Sequence, residues 1–211
     1  MHIYVFGSLC RGEVAPDSDI DLLAIVDATD PRFDPNIFSI YSYQRLRELW
    51  QEGNPFAWHL ALESRLVFSS DGSDYIQELG MPRSYTRSLQ DCKKFYDLFQ
   101  EARNSLVANA QTPVFDLSII FLSIRNIATC FSLGFDNRAD FSRHSALSLG
   151  ALRIPVKPPV YDVLVRARML CTRGYGDYLT GAEISAVAAE LSNIDSWMQK
   201  LVQQARVHER V

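Results

Sequence analysis

Two aspartates one residue apart, Asp19 and Asp21, stand at the head of the apolar run 22–26. On a strand, residues i and i+2 point to the same face. Asp19 and Asp21 therefore project side by side, with Ile20 and Leu22 on the opposite face. Adjacent carboxylates repel, and a cation between them relieves the repulsion. Oxygen ligands of this kind suit Mg²⁺, which binds one or two carboxylates together with substrate phosphates; Mn²⁺ fits the same donors. Upstream, the β-rich segment 3–6 runs straight into Gly7-Ser8, and Arg11-Gly12 and Ser18 follow before the aspartates. Glycine lets backbone N–H groups approach a phosphate closely, and the serine hydroxyl adds a donor. The residue types and their order describe a site for a metal-bound triphosphate.

The elements around this segment read as an α/β unit. Turn residues fill 30–36. Over 37–52 the apolar residues Ile37, Ile40, Tyr41, Leu46, Leu49 and Trp50 fall at helical spacing, and Gly53 ends the run. Residues 55–63 read as a third strand, and 65–68 as a further extended piece before the turn at 69–72. Period-2 alternation along 55–63 puts His59, Ala61 and Glu63 on one face.

Composition narrows the class. The chain has 211 residues, long enough for a small domain plus a second unit, and 47% apolar residues support a packed core. A net charge of −4 lacks the basic footprint of a nonspecific nucleic-acid binder. Four cysteines, Cys10, Cys92, Cys130 and Cys171, lack CxxC spacing and read as reduced thiols of a cytoplasmic protein. No signal peptide or uninterrupted apolar span of about 18 residues is evident, so no membrane association is expected.

Gly7-Ser8, Arg11-Gly12, then Ser18-Asp19-Ile20-Asp21-Leu22 resembles the DNA polymerase β-like nucleotidyltransferase superfamily, in its small bacterial minimal and aminoglycoside-type branch. The resemblance is strong over about the first 70 residues. It implies a mixed β-sheet core with helices, and transfer of a nucleoside monophosphate, AMP from ATP foremost, to a hydroxyl acceptor with release of pyrophosphate. Asp19 and Asp21 would hold Mg²⁺; Gly7, Ser8, Arg11, Gly12 and Ser18 would bind the nucleotide. The acceptor is a small molecule, an RNA or a protein. A third carboxylate is expected on the third strand, which makes Glu63 the candidate third metal ligand and catalytic acid, with His59 as the alternative proton acceptor. Many members carry a helix before the first strand, for which this chain has no room. A second reading is a nucleotide-binding regulatory or antitoxin-type module that works with a partner protein and catalyses little; a homodimer is also compatible.

Beyond residue 80 the pattern turns helical. Helices are expected over 84–109, over 113–133 with Pro113 in its first turn and Gly134 as its stop, near 142–149, over 158–172, and from Thr180 past Leu201 with Glu183 completing a capping box. The segment 113–133 is apolar nearly all round and should be the buried centre of a bundle. The expected class is thus α+β: a nucleotidyltransferase core over 1–80, then an antiparallel helical bundle over 81–211. The bundle resembles HEPN domains, although the Arg-x4-6-His motif of HEPN ribonucleases does not follow Arg125. Asp116, Arg125 and Asn126 are expected to satisfy one another inside it. Arg125, Arg143, Arg166 and Arg173 are the cations that could contact phosphate or acceptor, with a paired, structural role favoured.

Overall fold

The computed structural model describes residues 1–13, 20–28, 30–108, 111–135 and 139–208. The chain divides into two units, 1–86 and 87–211. It is α+β, with a four-stranded mixed sheet in the first unit and helices elsewhere.

Strand β1 (His2–Phe6) lies inside the sheet and alternates buried with half-buried residues. It pairs antiparallel with β2 (Asp21–Val26), so that Phe6 stands opposite Asp21. Next to β2 lies β3 (Phe38–Ser42), parallel to it, with Leu22 opposite Phe38 and Leu23 opposite Ser39. The far edge is β4 (Ser64–Ser69), antiparallel to β1, which completes the order β3-β2-β1-β4. Helices α1 (Tyr43–Gln51), α2 (Pro55–Glu63) and α3 (Tyr75–Leu79) supply the residues that cover one face of the sheet. Tyr4, Phe6, Leu23 and Ile25 meet Leu46, Leu49, Trp50, Ala57, Leu60 and Ile76 there. The other face carries a smaller cluster around Ala24, Val26 and Phe33.

Two segments differ from the sequence reading. The expected helix over 37–52 is a strand followed by a helix, with Ser42 at the junction accepting a hydrogen bond from Arg45 N–H. Phe38 and Ile40 pack on Ala24 and Val26, and parallel hydrogen bonding to β2 overrides a helical spacing that a short apolar run only weakly specifies. The expected third strand over 55–63 is helix α2. Asn54 caps it by accepting from Phe56 N–H, and Pro55 occupies its first turn, where a missing N–H costs nothing. Gly53, at φ +62°, makes the sharp corner between α1 and α2. The extended piece expected at 65–68 is present as β4.

In the second unit α4 (Ser88–Val107), α5 (Pro113–Phe135), α6 (Pro158–Arg173) and α7 (Gly181–His208) form the helical region, with short 3₁₀ turns at Ser145–Leu147 and Gly150–Leu152 replacing the helix expected near 142–149. Helix α5 packs against α4, α6 and α7. It runs antiparallel to α4, since Ser88 donates to Cys130 O and Cys92 meets Ile127 O four residues on. It is long and apolar enough to cross a membrane, yet most of it is buried among the other helices. Asp116 and Arg125 do not pair: nine residues of helix separate them by roughly 13 Å along the axis. Arg125 instead donates to the carbonyls of Phe141 and Ser142, pinning the segment after α5. The capping box forms as expected, with Glu183 N–H bonding Thr180 Oγ1 and Thr180 N–H bonding the Glu183 carboxylate.

Candidate active site

Strand β1 ends at Phe6, and the next five residues, Gly7–Arg11, coil into a 3₁₀ turn closed by Gly12, whose N–H reaches Leu9 O. Glu13 N–H bonds Ser8 O at 3.0 Å and folds the outgoing chain back on the turn. Asp21 opens β2 directly beside this turn. A Cβ placed on Gly7 would come 2.5 Å from Oδ2 of Asp21, and Gly7 has φ +77°. Only glycine gives the carboxylate this room, and only glycine takes this backbone without strain. Ser18 and Asp19 lie outside the described residues.

The register tells which face the carboxylate takes. Leu23 and Ile25 face the helices, so Asp21, two residues before Leu23, shares that face. An open hollow of about 440 Å³ adjoins Asp21, lined among others by Ile20, Asn36, Ile37 and Ser39. On β3, Ser39 and Tyr41 share the face of Leu23 and Ile25, and neither is an acid. The strand beside Asp21 therefore offers no carboxylate.

The two remaining candidates, His59 and Glu63, sit on helix α2 and not on a strand. They share a face because they are four residues apart on a helix, and Ala61, which period 2 grouped with them, packs into the sheet core. The His59 ring stands edge-on to Phe6, centroids 5.5 Å apart, over the residue paired with Asp21. His59 Nε2 lies 3.0 Å from Glu63 Oε2. The same oxygen accepts from Arg11 Nη1. Arg11 also grips Glu13, Nε at 3.0 Å and Nη2 at 2.9 Å from its Oε2. Burial alone would pull the Arg11 pKa down; the attraction and hydrogen bonds of Glu63 and Glu13 outweigh it and leave the guanidinium more firmly charged than usual. Beside them Cys10 donates to Val5 O, and burial pushes its thiol pKa up. Arg65, two residues from Glu63 in sequence, donates to Ser64 O.

Sequence reading missed the Arg11–Glu63 pair. The available signal was the Asn54-Pro55 helix start, which makes 59 and 63 a helical pair and swings the acid toward β1. Among the described residues, no group of three or more His, Cys, Asp and Glu side chains converges to hold a metal. The donor chemistry at the turn still suits a hard cation: a carboxylate oxygen faces the space that a side chain on Gly7 would fill, with the Ser8 hydroxyl next in the chain. In the second unit Arg166 is paired with Glu183, and His144 tilts against Tyr161, whose hydroxyl donates to Arg143 O. Of the four cations, Arg166 thus takes the paired role expected of it.

Residues 2–83 match the family model described as the nucleotidyltransferase domain. The N-terminal unit is a nucleotidyltransferase domain of the polymerase β-like superfamily. The match gives this unit, and not the helical one, the chemistry of nucleoside-monophosphate transfer. No curated protein matches it in sequence. Among solved structures it is similar to spectinomycin adenyltransferase AAD(9) from Enterococcus faecialis, crystallised with ATP and spectinomycin. That likeness has 11% identity over 94% of this chain and 91% of the other, at a TM-score of 0.49, and it assigns no substrate here.

Proposed function

We propose that this nucleotidyltransferase moves a nucleoside monophosphate, AMP from ATP foremost, onto a hydroxyl acceptor in a Mg²⁺-dependent reaction. The observation that supports the reading is the closeness of the Gly7 turn to the Asp21 carboxylate, which joins a phosphate-gripping segment to a metal-binding one. Asp21, with Asp19 two residues earlier, would hold the divalent ion. When bound, such an ion supplies Lewis-acid stabilisation of charge on the phosphate oxygens. Gly7 and Ser8 would bind the β- and γ-phosphates, with Arg11, Gly12 and Ser18 as the further nucleotide-binding residues.

The acceptor oxygen forms a bond to the α-phosphorus as the bond from that phosphorus to the bridging oxygen breaks, and pyrophosphate leaves. The hydroxyl proton would pass to His59, the titratable side chain that α2 sets over Phe6 opposite Asp21, since β3 brings no carboxylate to that side. A hydroxyl-bearing small molecule, RNA or protein satisfies this chemistry.

Incubation of the purified chain with α-labelled NTPs, Mg²⁺ or Mn²⁺ and fractionated cell extract tests the reading. Label on a hydroxyl acceptor with matching pyrophosphate release is the expected result. NTP bound without transfer would instead mark a nucleotide-binding module, and absence of both would overturn the proposal.

A further inference from the structure

We infer that Glu63 is a positioning residue that fastens the phosphate-gripping turn to helix α2 through Arg11, and that it is not the third metal ligand of this site. The inference rests on the nucleotidyltransferase reading and deepens it.

A third ligand needs a carboxylate with an oxygen turned to the metal. The Oε2 of Glu63 already accepts from Arg11 Nη1 and stands 3.0 Å from His59 Nε2. The three side chains are 19% (Arg11), 13% (Glu63) and 15% (His59) exposed, so water screens their interaction little. Such a charge-assisted pair is strong and directional, and breaking it strands a charge. Arg11 ends the Gly7–Arg11 turn while Glu63 ends α2, and 52 residues separate them in sequence. The pair is thus a cross-link between the turn and a helix anchored in the core by Ala57 and Leu60. Glu13 clamps the other edge of the same guanidinium.

Two consequences follow for binding. Arg11, held between two carboxylates, stiffens the turn that meets the phosphates, so losing Glu63 loosens that turn and weakens nucleotide binding. Metal affinity, which the proposed function assigns to Asp21 and Asp19, is left alone.

The test compares Glu63→Gln, Glu63→Asp, Arg11→Lys, Arg11→Gln and the double variant Arg11→Gln/Glu63→Gln in the full chain. Affinity for a fluorescent ATP analogue and affinity for Mn²⁺, by electron paramagnetic resonance, are measured separately. Glu63→Gln and Arg11→Gln should each weaken the analogue by about tenfold, the loss of one charge-assisted contact, and leave Mn²⁺ affinity within about twofold. The double variant should be no worse than Arg11→Gln alone, because Glu63 reaches the turn through Arg11. Glu63→Asp and Arg11→Lys, which keep the charges, should recover part of the loss and serve as the readout if the neutral variants fail to fold. A fall in Mn²⁺ affinity with Glu63→Gln or Glu63→Asp, or additive losses in the double variant, would overturn the inference. Failure of the parent reading looks different: the unsubstituted chain then binds no analogue, and both readings fall together.

Discussion

Gly7 backs directly onto the carboxylate of Asp21, so closely that a single methyl group at position 7 would come 2.5 Å from Oδ2. The contact joins the end of β1 to the start of β2 at the point where Phe6 and Asp21 face each other. A side chain at position 7 must either push the carboxylate away or move the turn. The backbone adds a second penalty, since φ +77° costs an L-residue about 1–2 kcal/mol. Gly7→Ala should therefore cut nucleotidyl transfer by about 100-fold, the usual effect of misplacing a reacting group by an ångström. Steady-state kinetics beside a thermal melt separates this from unfolding; unchanged kcat/KM would refute it.

Asp21→Asn keeps the shape of the side chain and removes its charge. Asp21 is only half buried, at the mouth of its strand, so the fold should persist. With Asp21 in the proposed role of metal ligand, transfer should fall by about three orders of magnitude, because no group on β3 would replace it. Single-turnover label transfer checks the rate and circular dichroism the fold. Full activity in this variant would show that β2 does not carry the metal site.

The corner at Gly53 is a stability prediction with no chemistry in it. A Cβ there would meet the carbonyl oxygens of Arg83 and Ser84 at 2.5 Å, and φ is +62°. Nearby, Arg83 N–H bonds Trp50 O, and the indole of Trp50 donates to Gly80 O, so the backbone cannot easily retreat. Gly53→Ala should destabilise the N-terminal unit by about 1–3 kcal/mol, visible as a lower urea midpoint, with KM for NTP unchanged in the folded fraction.

Glu183 links pH to the stability of the helical unit. Backbone N–H donation from Thr180, then the Arg166 pair and the Thr180 hydroxyl, lower its pKa from 4.5 to about 2. A depressed carboxylate contributes its stabilisation in full above the unfolded value and loses it as pH falls toward the folded one. Glu183→Gln should thus be less stable than the parent chain at pH 7, and the gap should close as pH drops from about 4.5 toward 2. Urea midpoints of the two proteins at pH 7, 5, 4 and 3 follow the closure. A gap that stays constant across that range would show that the carboxylate charge is not what the capping box uses.

Much of the second unit was readable because its signals are local. Pro113 and Pro158 mark helix starts, Gly174 stops α6, and the Thr180–Glu183 box opens α7; each acts within one turn of its own residue. The Gly-Ser turn and the aspartate beside it were readable for the same reason, since strand–turn–strand order already implies that they meet. Chain order decided that much.

The strand at Phe38–Ser42 was not readable, because its hydrogen bonds come from β2, sixteen residues earlier, and short apolar runs suit either period until a partner strand is in place. Helix α2 did announce itself through Asn54 and Pro55, but alternation in an almost wholly apolar segment masked it. What no local pattern contains is the partner of Glu63. Arg11 stands 52 residues away, and Arg65, the cation nearest in sequence, bonds its own backbone neighbour instead. Residue types and spacing determined which chemistry this chain carries; the packing of α2 on β1 decided which acid reaches the turn, because an ion pair depends on distance in space and not on distance along the chain.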